Sequence, residues 1–178
     1  MEEILSLDLP AQNIAEALLR YEFLEEHQLL SLACDFAEHT LKVFEVRAPG
    51  DERPKQCIEV ARQYISGSAG VNELEMALDG AEAACMRFFG TGYTGAFAAL
   101  VALPLLTGDA AHAAREIANA SQIAAHRLVY EAHEEKQEPI GKITARTEEA
   151  EWQLERIKER LGIAGSDSAA HQEAPGIQ

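Results

Sequence analysis

Cys34, Asp35, Glu38 and His39 fall within six positions, and Asp51, Glu52 and Arg53 follow soon after. Carboxylate, imidazole and thiol at this density are the ligand types of zinc sites and the groups used in general acid–base catalysis. Asp35 and His39 stand four apart, which on a helix makes them neighbours on one face. As metal chemistry this is half a site. No second Asp/His or Cys/His pair has matching spacing, and two ligands do not hold an ion. As structure it is a surface ion pair worth roughly 0.2–0.5 kcal/mol.

The element that must position these residues decides between the two. With successive residues about 100° apart, Leu32, Ala33, Phe36, Ala37, Leu41, Val43 and Phe44 fill one broad arc. Asp35, Glu38, His39, Lys42 and Glu45 fill the opposite one, and Cys34 sits at the border. The charged cluster is then the polar face of an amphipathic helix over about Leu30 to Val46. "APGD" breaks the chain after it. Pro54 suits the first turn of a third helix, which puts Ile58, Val60, Ala61, Tyr64 and Ile65 on one face with Cys57 as a small core residue. In the turn between them Asp51 reads as a cap, and Arg53, held out of helical geometry by Pro54, as a partner for Asp35 or another acid. That chemistry explains the spacing without a ligand.

Other candidates weaken in the same way. His112, His126 and His133 lie in a narrow arc of a long helix, but 14 residues at ~1.5 Å each separate the first two by about 21 Å, so they share no ion. "GTGYTG" lacks the Gly-Lys-Ser/Thr ending and preceding strand of a phosphate loop and reads as a hinge. No G-x-S-x-G or H-E-x-x-H occurs. In the last helix Ile140, Ile143, Thr147, Ala150, Leu154, Ile157 and Leu161 alternate spacings of three and four, a heptad-like seam for one neighbour. Trp152 lies off that seam, about 200° from Leu154, among Glu148, Glu149, Arg156 and Glu159. Either another helix covers it or it anchors a partner, since Trp and Arg are enriched at interface hot spots.

The remaining elements follow from period and punctuation. A first helix is expected over about Ala11–Glu26. A fourth opens at Asn72 with Glu75 as its reciprocal acceptor and runs to about Phe88. A long one is capped by Asp109 and runs through Lys136, and a last one covers about Ile140–Leu161. From Gly162 onward no apolar period remains. No segment alternates with period two. The expected fold is all-α: one Ala-rich domain over 1–161, a bundle or right-angled stack of six to seven helices, with 162–178 a disordered tail.

Composition bounds the partners. Fifteen Lys plus Arg against 30 Asp plus Glu give a net charge of −15, in a chain of 178 residues that is 47% hydrophobic. Such a field repels nucleic acid and anionic membranes and steers basic partners in. Basic residues are scattered, with no aromatic–basic platform for single strands. Tyr93 to Leu106 is too short an apolar stretch to span a bilayer, which needs about 20 residues. Three cysteines, with no C-x-x-C pair, argue against a secreted disulfide framework, and "MEEILSLDLP" lacks the features of a signal peptide. The expected setting is cytoplasmic.

"ACDFAEHTLKVFE" (Ala33–Glu45) followed by "PGDERPKQCIEVARQYISG" (Pro49–Gly67) resembles the opening of the Imm-5-like putative immunity protein family: an A-C-D-x-A-E helix, a D-x-R-P turn and an A-I-E-x-A-R helix. "MALDGAEAAC" and "DAAHAAREIANASQIAAHRL" are similar to its Ala-rich segments, and "EWQLERI" to its closing W-Q-L-x-R motif. The resemblance covers about Leu32–Leu161. Phe36 departs from it where a second Cys is common, 88–107 looks like an apolar insertion, and the helix within 1–29 looks additional. The resemblance implies a small all-α protein that neutralises a toxin by binding, and it supplies no established catalytic residues; no cofactor is expected.

The expected function is therefore an immunity protein docking a cognate, basic bacterial toxin domain, with Asp35, Glu38, Glu45, Asp51, Arg53 and Trp152 as contacts. One alternative is a helical metal-binding protein or enzyme using Asp35, Glu38 and His39 with a histidine of the long helix. Another is a homo-oligomer, in its simplest form a homodimer paired through the C-terminal helix.

Overall fold

The structure, a computed structural model, describes residues 1–86, 109–134 and 142–163. Among the described residues there are seven helices and no strand: α1 (Glu2–Leu5), α2 (Ala11–Leu18), α3 (Glu26–Arg47), α4 (Arg53–Ile65), α5 (Val71–Met86), α6 (Ala110–Glu134) and α7 (Lys142–Arg160). The all-α expectation holds. The readings made of 88–107, of Ile140 and of the tail from residue 164, and those on the side chains of Cys85, His126, His133 and Ile143, lie outside the described residues.

Helix ends follow local hydrogen bonding, and two differ from expectation. The first long helix stops at Leu18 rather than continuing to Glu26, because Leu19 leaves helical geometry (φ −77, ψ 65) and its carbonyl accepts a bond from Arg115 Nη1 at 2.8 Å. The chain restarts through a capping box. Glu25 receives the backbone amide of Gln28, and the Gln28 side chain accepts the Glu25 amide at 2.9 Å, so α3 opens four residues before Leu30. At α5 the cap expected from Asn72 and Glu75 is made instead by Glu73 Oε2, which accepts the Gly70 amide at 2.7 Å. Asp109 does cap α6, accepting the His112 amide at 3.0 Å, and that bond holds its carboxyl below the usual range. Tyr21 Oη completes the cap by donating to Asp109 and accepting the Ala110 amide.

The core is built around α3. Leu29, Leu32, Ala33, Phe36 and Ala37 are fully buried there, and α3 packs on α6, α4 and α7. Helix α6 is lined with small residues, and Ser121 Oγ lies 3.1 Å from the Phe36 carbonyl, so the two backbones run close. The α4 helix joins α3 to α5, and α7 packs on α6 and α2. In the last helix the seam residues Ala150, Leu154 and Ile157 are buried within this chain. A homodimer through that helix would have to use its other faces.

Cys34 and Cys57 are both buried, as expected for Cys57. Burial pushes the Cys34 thiol up to about 12, with Arg62 partly opposing the shift, and the Cys57 thiol up to about 11. An unfolded thiol ionises around 9.0, whereas these stay protonated at that pH. Their contribution to stability is thus complete below pH 9 and is lost as the pH rises towards 11 and 12. In denaturant titrations, the stability gap between the wild type and Cys34→Ala or Cys57→Ala should stay level below about pH 9 and shrink above it. A gap that stays level to strongly alkaline pH would contradict this placement.

Candidate functional site

Helix α3 and helix α7 lie side by side with a groove of about 520 Å³ between their exposed faces. Asp35, Glu38, His39 and Glu45 line it from α3, and Trp152, Arg156 and Arg160 from α7, with Lys42 and Lys55 completing the wall. Four of the six contact residues expected from sequence, Asp35, Glu38, Glu45 and Trp152, thus share one feature. Asp51 and Arg53 are not among its lining residues. Asp51 Oδ1 accepts Arg53 Nε at 2.8 Å and the Arg53 amide at 3.3 Å, so these two clasp the turn before α4. Arg53 pairs with Asp51 and not with Asp35.

Asp35 and His39 do not pair with each other either. Asp35 Oδ1 meets Arg62 Nη2 at 2.8 Å and Oδ2 meets Arg160 Nη2 at 3.2 Å, so one carboxylate ties α3 to both α4 and α7. Glu38 Oε2 takes the same Arg62 nitrogen at 2.7 Å. Burial works against the charge on Arg62, but the hydrogen bond and charge of Asp35, reinforced by Glu38, hold its guanidinium above the ordinary value. The acids at the α4 side of the groove are therefore already neutralised, while Glu45 is exposed at the opposite end of the α3 row.

His39 turns to α7. Its ring stacks on Trp152 with centroids 3.9 Å apart and planes 12° from parallel, and Phe36 meets the indole edge-on at 6.1 Å. Arg156 stands 5.7 Å from the same ring. Trp152 is partly buried: α3 covers part of the indole, as the first of the two sequence alternatives expects, and the rest lines the groove.

Behind His39 lies a polar chain. His39 Nδ1 is 2.8 Å from Glu149 Oε2, and Glu149 is buried. Gln153 Nε2 donates to Glu149 Oε1 at 3.1 Å and to the Ala118 carbonyl at 3.0 Å, and Gln122 Nε2 donates to Gln153 Oε1 at 2.8 Å. At the surface, Lys42 Nζ lies 3.0 Å from His39 Nε2. An ammonium only donates and a carboxylate only accepts, so the neutral imidazole that satisfies both neighbours carries its hydrogen on Nδ1. The sequence reading missed Glu149, Gln153 and Gln122. The available signal was that Glu149 and Gln153 stand one turn apart and flank Ala150 and Leu154 on the inward side of α7.

Cys34, on the same helix as the α3 wall, is buried and held protonated, and a thiol rather than a thiolate is a poor nucleophile. Among the described residues no group of three or more His, Cys, Asp or Glu could hold a metal ion, and no helix is long and apolar enough to cross a membrane. The groove instead offers an aromatic surface edged by charges of both signs.

Two measurements check the polar chain. Long-range 1H–15N correlation spectra of the neutral ring should place the His39 hydrogen on Nδ1, and a hydrogen on Nε2 would reverse the assigned polarity. Glu149→Leu strips the acceptor from two donors and should lower unfolding free energy by about 1–3 kcal/mol in denaturant titration.

No curated protein and no solved structure matches the chain. Residues 20–87 match the family model described as Imm-5 like putative immunity protein. The matched segment contains α3, α4 and α5, and with them Asp35, Glu38, His39, Glu45, Asp51 and Arg53. Trp152 and the "EWQLERI" segment fall outside it. Over residues 20–87, the part of the chain that supplies the α3 wall of the groove, this protein is similar to the Imm-5 like putative immunity protein family.

Proposed function

We propose that this protein is a non-enzymatic immunity protein that binds and neutralises a basic bacterial toxin domain inside the cell that makes it. The observation that carries the reading is the family match over residues 20–87. Charge supports it: the net charge is −15, and within the matched segment α5 carries Glu73, Glu75, Asp79 and Glu82, all exposed, with no Lys or Arg between Val71 and Met86. A basic partner would be drawn in by that field and oriented by it.

In this reading Trp152 is the anchor. It is stacked on His39, partly exposed in the groove and bordered by Arg156, the aromatic and arginine combination in which interface energy concentrates. Glu45 would meet a basic group of the toxin at the rim, and Glu38 would do so only by exchanging its bond to Arg62. Asp35 contributes indirectly, by fixing α3 against α4 and α7 through Arg62 and Arg160. Asp51 and Arg53 hold the turn that sets where α4 begins.

The test is capture of the tagged protein's partner from its host at low and moderate salt, followed by expression of the captured polypeptide alone and together with this protein. The expected result is a basic polypeptide that arrests growth alone, is silenced on co-expression and dissociates as salt rises. Trp152→Ala should weaken the complex by about 2 kcal/mol or more, roughly 30-fold in Kd. Glu45→Lys should mainly slow association. A captured partner that is harmless alone, or binding indifferent to salt, would overturn the toxin or the charge part of the reading respectively.

A further inference from the structure

Lys42 Nζ lies 3.0 Å from His39 Nε2, so its ammonium is held in the groove by an imidazole rather than by a carboxylate. That contact exists in one protonation state of the ring. An ammonium has hydrogens and no lone pair, so Nε2 must accept and must carry no hydrogen. Nδ1 already faces Glu149 Oε2 at 2.8 Å and donates to it. A proton taken up from solvent therefore goes to Nε2. There it makes the nitrogen a donor, sets N–H against N–H, and brings a second positive charge up to the first. The bond to Lys42 breaks, and Lys42 keeps its three hydrogens.

The two sides of the ring respond unequally. Glu149 is buried, and Trp152 packs flat on the imidazole. A carboxylate and an aromatic face are both partners for an imidazolium, so the ring stays in place. Lys42 is exposed on a flexible four-carbon stem, and it is the group that moves. The other charges near the ring are engaged. On α3, Asp35 and Glu38 bind Arg62 of α4, and Asp35 also binds Arg160 of α7. Arg156 of α7 pairs with Glu159. From α6 the series ends in the neutral amide of Gln122. Lys55 of α4 lines the groove as a further cation, and Glu45 of α3 as an acid. Glu45 is three residues beyond Lys42, the neighbour that a released Lys42 meets on the same helix face.

We propose that His39 and Lys42 form a proton-operated switch in the groove: a proton arriving at Nε2 expels the ammonium, makes the wall beside Trp152 cationic and turns Lys42 towards Glu45. The switch needs only this chain. Its consequence for a basic partner, weaker docking in acid, rests on the immunity reading, because that partner would meet a charged His39 and a Glu45 already shared with Lys42.

Trp152 is the sole tryptophan of the chain, so fluorescence of the full-length protein reads the groove. Iodide and caesium quench an accessible indole on contact and carry opposite charges. The ratio of their quenching constants thus reports the charge beside Trp152. It is followed between about pH 8 and 5, the range in which an ordinary histidine changes charge. The iodide-to-caesium ratio should rise in one step as the pH falls, and His39→Gln should remove most of the rise. Lys42→Met alters an exposed residue and carries the test if His39→Gln does not fold. It removes the ammonium that competes with the proton, and should move the step up by roughly 0.5–1 pH unit. A ratio indifferent to pH, a rise of the same size in His39→Gln, or a step that Lys42→Met leaves in place would overturn the switch. With the step present, a captured partner that docks equally well at both ends of the range would remove the consequence for docking and leave the switch standing.

Discussion

The closeness of α3 and α6 governs most of what surrounds them. A helix pair approaches only as far as the side chains between them allow, and α6 offers Ala113, Ala114, Ile117 and Ser121, all buried, where larger residues would hold it away. Ser121 is near enough to reach the Phe36 carbonyl. With that approach fixed, Phe36 fills the space towards α7, Trp152 finds its edge-on partner, and His39, one turn further along α3, reaches the indole face. Larger residues on this part of α6 would separate the walls of the groove as well as disturb the core.

A second constraint is chemical. Two series of hydrogen bonds in the polar chain converge on Glu149: one arrives from Lys42 through His39, the other from Gln122 through Gln153. A buried acceptor that collects donors from both sides fixes ring and amide orientations that would otherwise be free. The groove thus takes the orientation of its His39 wall from a buried carboxylate that also receives Gln153 and, through it, Gln122. Asp35 performs the equivalent task with charge, binding Arg62 and Arg160 so that three helices are referenced to one carboxylate.

Much of this was legible in the sequence, and the division is physical. Helical period placed Phe36, Ala37 and Leu41 inside and Asp35, Glu38 and Glu45 outside, because amphipathicity is a local signal. The Asp109 cap was visible for the same reason. The partners of Asp35 and His39 were not, since Arg62, Arg160 and Glu149 lie on other helices and pairing across helices leaves no local period. The break at Leu19 was hidden because a distant arginine, Arg115, takes the carbonyl there. The capping box at Glu25 escaped because Glu is an unusual residue at that position. Glu149 escaped because a carboxylate on a strongly charged helix reads as surface until its donors are known.

Tyr21 bears on how the chain tolerates change in length. Its hydroxyl sits between Asp109 and the Ala110 amide, and so pins the start of α6 to the connection between α2 and α3. The end of α5 is held separately, by packing against α4. The stretch between residues 86 and 109 therefore joins two points whose positions are set by other parts of the molecule. The register of α6 against α3 is therefore set by the Tyr21 clasp and by the packing of the two helices, and a change in the spacing between α5 and α6 would leave both in place.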